Sequence, residues 1–258
     1  MKVYTAAITD AGKVRANNED NFLVNGIYKQ DTNLQAFSYR DATQKDVHVF
    51  AVCDGMGGES LGELASKETV KILGALEAPS VYKKLELMMQ KANEKICQMI
   101  RKNAGRRIGT TASVLVIRNG FCSICHIGDS RIYRLREGNL VQLTKDHTRL
   151  QQMIDAGIIK KEDAGKSQHK HVLTQHLGIF PQEFIIEPQL IQNLPVQGGD
   201  VFLICSDGLT DMVSDHEIRE IIIPCQEQNI GKIAETLVAE ALSKGGKDNI
   251  TAILALYK

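Results

Sequence analysis

The sequence predicts an α+β fold in which antiparallel sheets are flanked by helices, and three observations indicate it. Runs with the two-residue period of strands outnumber runs with helical spacing along the 258 residues. The helical runs come in pairs instead of alternating one by one with strands, which disfavours a doubly wound parallel sheet. Strand-like runs also follow one another directly between residues 112 and 144. We expect a single domain over 1–258, because a chain of this length can bury one full core.

The first half of the chain predicts two short strands, a polar loop, a buried strand and two helices. These elements cover, in order, 3–12, 17–26, 25–46, 47–53, 61–76 and a helix that follows Pro79 and Ser80. The run VHVFAVC at 47–53 is apolar enough to be buried on both faces. The polar segment lacks clear periodicity and predicts an extended hairpin loop, whereas both helices carry apolar residues on one face.

The second half predicts a β-meander, a flap and further helices. The strand-like runs of the meander are ASVLVI, FCSICHI, RIYRLRE and LVQLT, separated by the turn sequences RNG, GDS and EGN. A histidine-bearing flap follows over 146–178, with one short helical pattern closed by Gly157. Strands are then predicted on both sides of the turn at 198–200. A capping box at Ser214 predicts the start of one helix, and a second helix is predicted over 230–242. The run ITAILALY predicts a last strand.

Charge and cysteine content exclude several classes of function. Lys plus Arg and Asp plus Glu both number 31, so the balanced charge indicates no nucleic-acid partner. No segment has the apolar length of a membrane span or a signal peptide, so a cytoplasmic protein without a membrane partner is expected. The six cysteines lie mostly in apolar runs and are expected to be reduced. Cys122 and Cys125 lie in a predicted strand and should face opposite sides, which disfavours a metal or redox role.

Four aspartates lie at the ends of predicted core strands. Asp54 follows VHVFAVC, Asp129 follows FCSICHI, Asp207 follows VFLIC, and Asp248 precedes ITAILAL. Each one alone is typical of a turn. Together they indicate a shared metal site, because converging carboxylates repel one another unless cations neutralise them. Oxygen donors without matching histidine or cysteine favour Mg²⁺ or Mn²⁺ over zinc or copper.

The stretch DGMGG at 54–58 leaves three interpretations of Asp54: a turn residue, part of a phosphate-cradling loop, or a metal ligand. A P-loop needs Gly-x-x-x-x-Gly-Lys-Ser/Thr and a dinucleotide fingerprint needs Gly-x-Gly-x-x-Gly, and DGMGGES matches neither. The glycine after Asp54 would let a backbone carbonyl approach a cation. These observations favour the metal-ligand interpretation.

Short polar motifs occur in a fixed order along essentially the whole chain: TDAGKVRANNED, DGMGG, GTTAS, IGDSRIY, LTKDHT, CSDGLTD and GGKDNITA. This ordered set resembles the metal-dependent PP2C-type protein serine/threonine phosphatases, the PPM family, in their bacterial form. The resemblance implies a four-layer αββα sandwich, with two central antiparallel β-sheets flanked by pairs of antiparallel helices. It also implies an enzyme in which a water bridging two metal ions attacks phosphoserine and phosphothreonine in proteins.

The resemblance further implies a role for each matching residue. Asp54 resembles the carboxylate that bridges two Mn²⁺ or Mg²⁺ ions, with the Gly55 carbonyl on the second ion and Asp207 and Asp248 on the first. Glu19 and Asp20 match residues around the second ion, and Asp129 with Asp207 matches a third ion site. Arg15 matches the arginine that binds the substrate phosphate. The matches to supporting residues are Asn249, Thr110 and Thr111.

Two departures from the family pattern concern the substrate side. Met56 stands where some members have a histidine proposed as the leaving-group acid, and Gln175 stands where bacterial relatives often have arginine. The flap residues His169, His171 and His176 suggest either a transition-metal site or a solvated surface, and the solvated surface is favoured.

The resemblance implies phosphorylated proteins as substrates and an opposing Ser/Thr kinase as a functional partner. One alternative is a pseudophosphatase that binds partners without chemistry, which would most simply have lost acidic ligands. Another is a SpoIIE-like phosphatase of anti-sigma-factor antagonists, whose domains usually match the NNED and GTT motifs less well. The retained carboxylates and motifs favour a metal-dependent phosphatase of phosphoserine and phosphothreonine in proteins over both alternatives. Ser60 and Ser206 are interpreted as capping or turn residues, since no nucleophilic triad is recognisable.

Overall fold

The computed structural model describes residues 2–57, 61–76, 81–104, 106–160, 163, 167 and 169–258. Its elements are, in chain order, β1 (Val3–Asp10), β2 (Asn21–Val24), β3 (Ile27–Tyr28), β4 (Ala36–Thr43), β5 (Val47–Cys53), β6 (Gly55–Met56), α1 (Gly62–Gly74), α2 (Val81–Lys102), β7 (Gly109–Thr110), β8 (Ala112–Arg118), β9 (Phe121–Ile127), β10 (Arg131–Arg136), β11 (Asn139–Gln142), α3 (Arg149–Asp155), β12 (Gln189–Pro195), β13 (Val201–Cys205), α4 (Asp207–Thr210), α5 (Asp215–Ile222), α6 (Ile230–Ser243) and β14 (Ile250–Tyr257). Four residues that figure in the sequence predictions lie outside the described residues: Gly58, Ser60, Pro79 and Ser80.

Two six-stranded antiparallel sheets form the centre of the fold. The first has the strand order β11-β10-β13-β14-β1-β4, and the second has the order β12-β9-β8-β5-β2-β3. Strands β1 and β14 pair along their whole length, with Val3 opposite Tyr257 and Asp10 opposite Ile250. The first sheet therefore joins the two ends of the chain.

Three apolar clusters separate four layers. One cluster fills the space between the two sheets and includes Phe50 and Phe202. Helices α1 and α2 cover the second sheet through a cluster that includes Leu73, and helices α5 and α6 cover the first sheet through one that includes Ile218 and Leu237. This arrangement confirms the predicted αββα sandwich. None of the described helices combines the length and apolar character needed to cross a bilayer.

The segment 25–46, predicted to be a loop, contains two strands. Besides the short β3, the strand β4 pairs with β1 at the edge of the first sheet. The residues of β4 alternate between exposed and half-buried positions. Phe37 and Tyr39 pack against the core from this edge strand. An edge strand needs apolar residues on one face only, so its hydrophobic pattern was too weak to indicate a strand.

The four strands predicted to form a meander divide between the two sheets, so that prediction was wrong. β8 and β9 form a hairpin in the second sheet, whereas β10 and β11 form one in the first. The chain crosses between the sheets at Gly128, which has a φ of +110° and where a Cβ would lie 2.5 Å from the Thr111 side chain. Only glycine fits this crossing, and it carries Asp129 and Ser130 to the end of both sheets.

The flap contains the predicted helix, α3. The Thr148 hydroxyl accepts the N–H of Gln151 at its start, and Gly157, with a φ of +69°, follows its end. The chain then returns toward the sheets, where Leu173 forms a bridge with Thr148 and Leu177 forms one with Thr110. The second half of the flap therefore lies beside the two-stranded sheet of β6 and β7.

The cysteines behave as small buried hydrophobic residues. All six are buried and free of disulfides. Cys122 packs into the cluster between the sheets, whereas Cys125 packs into the cluster under α1 and α2. Strand alternation therefore places them on opposite faces, as predicted.

Candidate metal centre

The predicted carboxylates come together at one end of the two sheets. This end contains the C-termini of β5, β9 and β13 and the N-termini of β2 and β14, because neighbouring strands are antiparallel. All of the predicted carboxylates except Asp20 line a cavity of about 620 Å³. Among the residues that line it are Arg15, Glu19, Asp54, Gly55, Thr111, Asp129, Asp207, Asp248 and Asn249.

The clustered carboxylates repel one another. Burial, and after it the charges of Asp20 and Asp207, raise the pKa of Asp54 well above its usual range. Burial and the charge of Asp207 likewise raise the pKa of Asp129 and the pKa of Asp248. Each shift means that the ionised form costs free energy in the folded protein. A divalent cation among these groups would offset that cost.

Asp20 is fully buried and is held by two hydroxyl groups. Its Oδ2 accepts hydrogen bonds of 2.7 Å from Ser206 Oγ and from Thr251 Oγ1. Burial nevertheless raises the pKa of Asp20 to about 7. Its Oδ1 has no hydrogen-bond partner among the described residues, and the same holds for Oδ1 of Asp207. Buried polar atoms normally have partners, so these two oxygens fit the ligands of a cation.

Thr110 and Thr111 hold the backbone at Asp54. The Thr110 hydroxyl and the Thr111 N–H donate to the Asp54 carbonyl at 2.8 and 2.9 Å, and the Asp54 N–H donates to Thr111 Oγ1 at 3.0 Å. The next residue, Gly55, pairs with Thr110 in the small sheet of β6 and β7. A Cβ at Gly55 would lie 2.5 Å from the Glu19 carbonyl oxygen. Glycine therefore lets the loops that carry Glu19 and Asp54 meet.

Asn249 joins the loops that carry the acidic residues. Its Oδ1 accepts the N–H of Glu19 at 2.8 Å, and its Nδ2 donates to the carbonyls of Ala11 and Asn17 at 2.9 and 2.8 Å. Its own N–H donates to Asp248 Oδ1 at 2.9 Å. Both polar ends of the side chain bind the backbone, so Asn249 connects the loops that carry Glu19 and Asp248.

Arg15 lies beside these carboxylates. Its Nη2 donates to Asp248 Oδ2 at 2.7 Å, and 54% of its side chain is exposed. A guanidinium has five N–H donors in a planar fork. One nitrogen is held by Asp248, and Arg15 lines the same cavity as the carboxylates.

The flap adds contacts that sequence reasoning missed. His171 places Nδ1 3.5 Å from Asp207 Oδ2 and Nε2 3.4 Å from Asp211 Oδ2, and Lys170 pairs with Asp211. The ligand atoms of His171, Asp207 and Asp211 all lie within 4.8 Å of one another. The solvated-surface interpretation is therefore incomplete for His171. Asp211 could have been found, because it lies four residues after Asp207 across α4 and so shares its face.

Ser206 and Thr251 are supporting residues whose roles were also missed. Ser206 occupies the N-cap position of α4, but its hydroxyl donates to Asp20 instead of capping the helix, which corrects the capping part of the capping-or-turn interpretation. Thr251 is a polar residue in β14, whose residues are all buried. A polar side chain in such a strand needs an internal partner, and this was the available signal.

Comparison with known proteins agrees with this geometry. The family model described as protein phosphatase 2C matches residues 22–244. The chain belongs to the protein phosphatase 2C family. The family predicted from the motifs is thereby confirmed. The chain is 34% identical over 257 residues to protein phosphatase PhpP of Streptococcus pneumoniae. The aligned region covers 96% of this chain and 94% of PhpP.

A mycobacterial relative is similar over a smaller share of its own length. Serine/threonine protein phosphatase PstP of Mycobacterium tuberculosis is 32% identical over 255 residues, which cover 97% of this chain and 44% of the relative. The phosphatase 2C chain therefore spans less than half of PstP. PstP and PhpP are both named protein phosphatases, which agrees with the enzyme class predicted from the motifs.

Solved structures of the family share the fold. The catalytic domain of PstP in complex with two manganese ions has a TM-score of 0.80 and 32% identity, with 99% of this chain and 98% of that chain covered. This likeness confirms the predicted phosphatase 2C fold. Divalent metal ions are the cofactors of the family, and the acidic cavity of this chain fits them.

Proposed function

We propose that this phosphatase 2C chain hydrolyses phosphoserine and phosphothreonine in proteins with the help of bound divalent metal ions. The observation that carries the proposal is the convergence of carboxylates from loops of both sheets on one open cavity. Asp207, which lines the cavity, and the fully buried Asp20 each retain a buried oxygen without a partner among the described residues. The resemblance to enzymes named as serine/threonine phosphatases supports the reaction class.

The metal ligands are proposed from the carboxylate set. For the first two ions they are Asp54, the carbonyl of Gly55, Asp207 and Asp248, with Glu19 and Asp20 around the second ion; for a third ion they are Asp129 and Asp207. All of these donors are hard oxygens, which supports Mn²⁺ or Mg²⁺. When bound, such ions supply neutralisation of the phosphate charge and activation of water for in-line attack.

The side chains of the protein supply binding and orientation. Arg15 is proposed to donate hydrogen bonds to two phosphate oxygens, since its fork matches phosphate geometry and Asp248 holds it in place. Thr110, Thr111 and Asn249 fix the backbone on which the carboxylates depend. Met56 carries no proton to donate, so the leaving group is proposed to take its proton from water or from another group of the site.

The biological setting is proposed from the chemistry of the chain. Substrates of this kind arise by transfer of phosphate to serine or threonine, which supports an opposing Ser/Thr kinase. The six free, buried cysteines support a reducing compartment such as the cytoplasm. Residues 1–258 are proposed to act as one phosphatase domain, because β1 and β14 pair along their whole length.

The test is metal-dependent turnover by the purified protein. Incubation with Mn²⁺ should give hydrolysis of p-nitrophenyl phosphate and of a phosphothreonine peptide, and EDTA should abolish both. Turnover that EDTA does not affect would contradict a metal centre. Binding of the phosphopeptide without any turnover would instead support the pseudophosphatase alternative.

A further inference from the structure

We propose that a second cavity, next to the metal centre, binds a large apolar side chain of the substrate protein close to its phosphorylated residue. The inference rests on the proposed phosphatase function and names a feature by which that site selects protein substrates. The second cavity has a volume of about 760 Å³, which is larger than the roughly 620 Å³ of the metal cavity. It lies within the range of about 300–1,000 Å³ that is usual for ligand pockets.

The two cavities are adjacent in the structure because they share wall residues. Met56 and Gly57 line both of them. Met56 pairs with Gly109 in the small sheet of β6 and β7, directly after Asp54 and Gly55. This small sheet therefore stands between the metal centre and the second cavity. An extended peptide advances about 3.3 Å per residue, so residues near a phosphothreonine held at Arg15 can reach the second cavity.

The interior of the second cavity is apolar. Ile100 and Ile108 line it and are only 6% and 3% exposed, and the half-buried residues Ile179 and Phe180 complete the apolar lining. The guanidinium of Arg101 lies over the Phe180 ring, with Cζ 5.2 Å from the ring centroid. Such a surface favours an aliphatic or aromatic side chain, because its burial removes apolar area from water on both partners.

The wall of the second cavity is tightly packed at two glycines. A Cβ at Gly109 would lie 2.9 Å from His176 Nδ1 and 3.2 Å from Met56 Cγ, and a Cβ at Gly178 would lie 3.0 Å from Ile96 Cγ2. Gly178 has a φ of +106°, a conformation that favours glycine. The two glycines thus let the flap segment around Leu177 pack against β7, which gives the cavity a defined shape.

The rim of the cavity is polar and suits a peptide backbone. Arg107 and Glu183 line it and are exposed, and the half-buried flap residue His176 lies beside Gly109 of β7. They offer a cation, an anion and an imidazole to the N–H and C=O groups of a chain that crosses the rim. A polar rim around an apolar interior is typical of sites that recognise one side chain of a protein partner.

Met56 acquires a role in this arrangement. Its unbranched thioether side chain lines both cavities at the point where a substrate chain would cross between them. Methionine adapts its shape to different apolar partners, so it can accept varied substrate sequences there. A small ester such as p-nitrophenyl phosphate fills the metal cavity alone and should be indifferent to the second cavity.

The experiment compares matched phosphothreonine peptides with the protein in Mn²⁺. The parent peptide carries alanine at every position near the phosphothreonine, and each position is replaced by leucine in turn. We expect leucine at one or two positions to raise kcat/KM about tenfold or more. The variant Ile179→Asp should lower this preference to less than about twofold while hydrolysis of p-nitrophenyl phosphate is unchanged. The matched control is Val141→Asp, at an exposed apolar position of β11, which should keep the preference.

Two outcomes would overturn the inference. One is a flat scan, in which no leucine changes kcat/KM by more than twofold. The other is a preference that persists in a folded Ile179→Asp protein. If that variant does not fold, as judged by circular dichroism, the wild-type methyl resonances of Ile179, which lines only the second cavity, decide instead. They should shift with the preferred leucine peptide and not with the alanine peptide, and unchanged resonances contradict the proposal.

Failure of the proposed function gives a different result. If the protein hydrolyses neither the peptides nor p-nitrophenyl phosphate in Mn²⁺, the phosphatase proposal fails. Binding of fluorescein-labelled phosphopeptides, followed by anisotropy, then tests the cavity by itself. If the leucine peptide binds more tightly than the alanine peptide, and Ile179→Asp removes this difference, the second cavity binds apolar side chains even though the protein has no phosphatase activity. Equal binding of both peptides would contradict this role of the cavity.

Discussion

Arg15 and Asp248 are joined by a 2.7 Å hydrogen bond from Nη2 to Oδ2, although they lie 233 residues apart in the sequence. Asp248 is a proposed metal ligand and Arg15 a proposed phosphate ligand, so one contact connects the two sites. Both side chains are partly exposed, and a pair of this kind adds only about 0–1 kcal/mol to stability. Its main consequence is therefore the orientation of the arginine fork.

Replacement of Arg15 should weaken phosphate binding. We expect Arg15→Ala to lower kcat/KM for p-nitrophenyl phosphate by about ten- to a hundredfold, because two charge-assisted hydrogen bonds are lost. Arg15→Lys should recover part of the loss, since it keeps the charge but not the fork. The control is Arg40→Ala, which removes another exposed arginine paired with a carboxylate, Glu235. Equal kinetics of Arg15→Ala and the control would remove Arg15 from the site.

Replacement of Asp54 should abolish activity but raise the stability of the metal-free protein. We expect Asp54→Asn to abolish Mn²⁺-dependent turnover. In EDTA the same variant should have a Tm higher by about 2 °C or more, because one of the repelling buried charges is gone. Added Mn²⁺ should raise the Tm of the wild type more than that of the variant. The control is Asp155→Asn, an exposed carboxylate of α3 that should leave activity unchanged. A lower Tm in EDTA would contradict the repulsion.

The hydroxyls that hold Asp20 should control metal affinity. Ser206→Ala and Thr251→Val each remove one 2.7 Å hydrogen bond to Asp20 Oδ2. Residues that orient a metal ligand typically change affinity by about 10–100-fold when they are lost. We therefore expect the Mn²⁺ concentration at half-maximal activity to rise by this factor, with a smaller change at saturating Mn²⁺. Ser243→Ala, which removes a hydroxyl on α6, serves as the control. An unchanged Mn²⁺ dependence would show that Asp20 does not act at the metal.

A methyl group at Gly55 should disrupt the site. In Gly55→Ala the Cβ would lie 2.5 Å from the Glu19 carbonyl oxygen, so the backbone must move. We expect a loss of about 1–3 kcal/mol in the free energy of unfolding, measured in denaturant, together with loss of activity. In Gly198→Ala the Cβ would have open space within 4 Å, so this control should retain both properties. Wild-type activity in Gly55→Ala would contradict the close approach of the two loops.

The pH dependence of stability should contain a contribution from His48. This side chain is buried, and its Nε2 has no hydrogen-bond partner among the described residues. Burial, followed by the charge of Lys45, lowers the pKa of His48 from its ordinary value of 6.5 to about 4. The unfolded chain therefore binds more protons between these two values. Stability is retained above pH 6.5 and falls below it by up to about 1.4 kcal/mol per pH unit until pH 4.

The variant His48→Phe isolates this contribution. It keeps a ring beside Phe50, whose centroid lies 6.2 Å from that of His48, and removes the proton-binding site. We expect the difference in the free energy of unfolding between pH 7 and pH 5 to be smaller in this variant than in the wild type. His216→Gln, at an exposed histidine of α5, should leave the difference unchanged. A wild-type pH profile in His48→Phe would assign the acid sensitivity to other groups.

Many elements could be predicted from the sequence because the residues that indicate them lie close together in the chain. The capping box at Ser214 occurs as predicted, with Ser214 and Glu217 bonded reciprocally at the start of α5. The apolar run of β5 is buried on both faces. By contrast, β4 and the division of the meander depend on which strands lie next to each other. Pairing between distant strands is decided by the packing of the whole sheet, and the residues of one strand do not encode it.

The sequence by itself determined the fold class, the family and the set of acidic residues, because these follow from periodicity and from short motifs. Only the tertiary structure decided which neighbours those residues have. It placed Ser206 and Thr251 on Asp20, His171 beside Asp207, and a second cavity beyond Met56. The physical reason is that hydrogen bonds and cavities arise between segments far apart in the chain, and their geometry exists only once both sheets have closed around a common core.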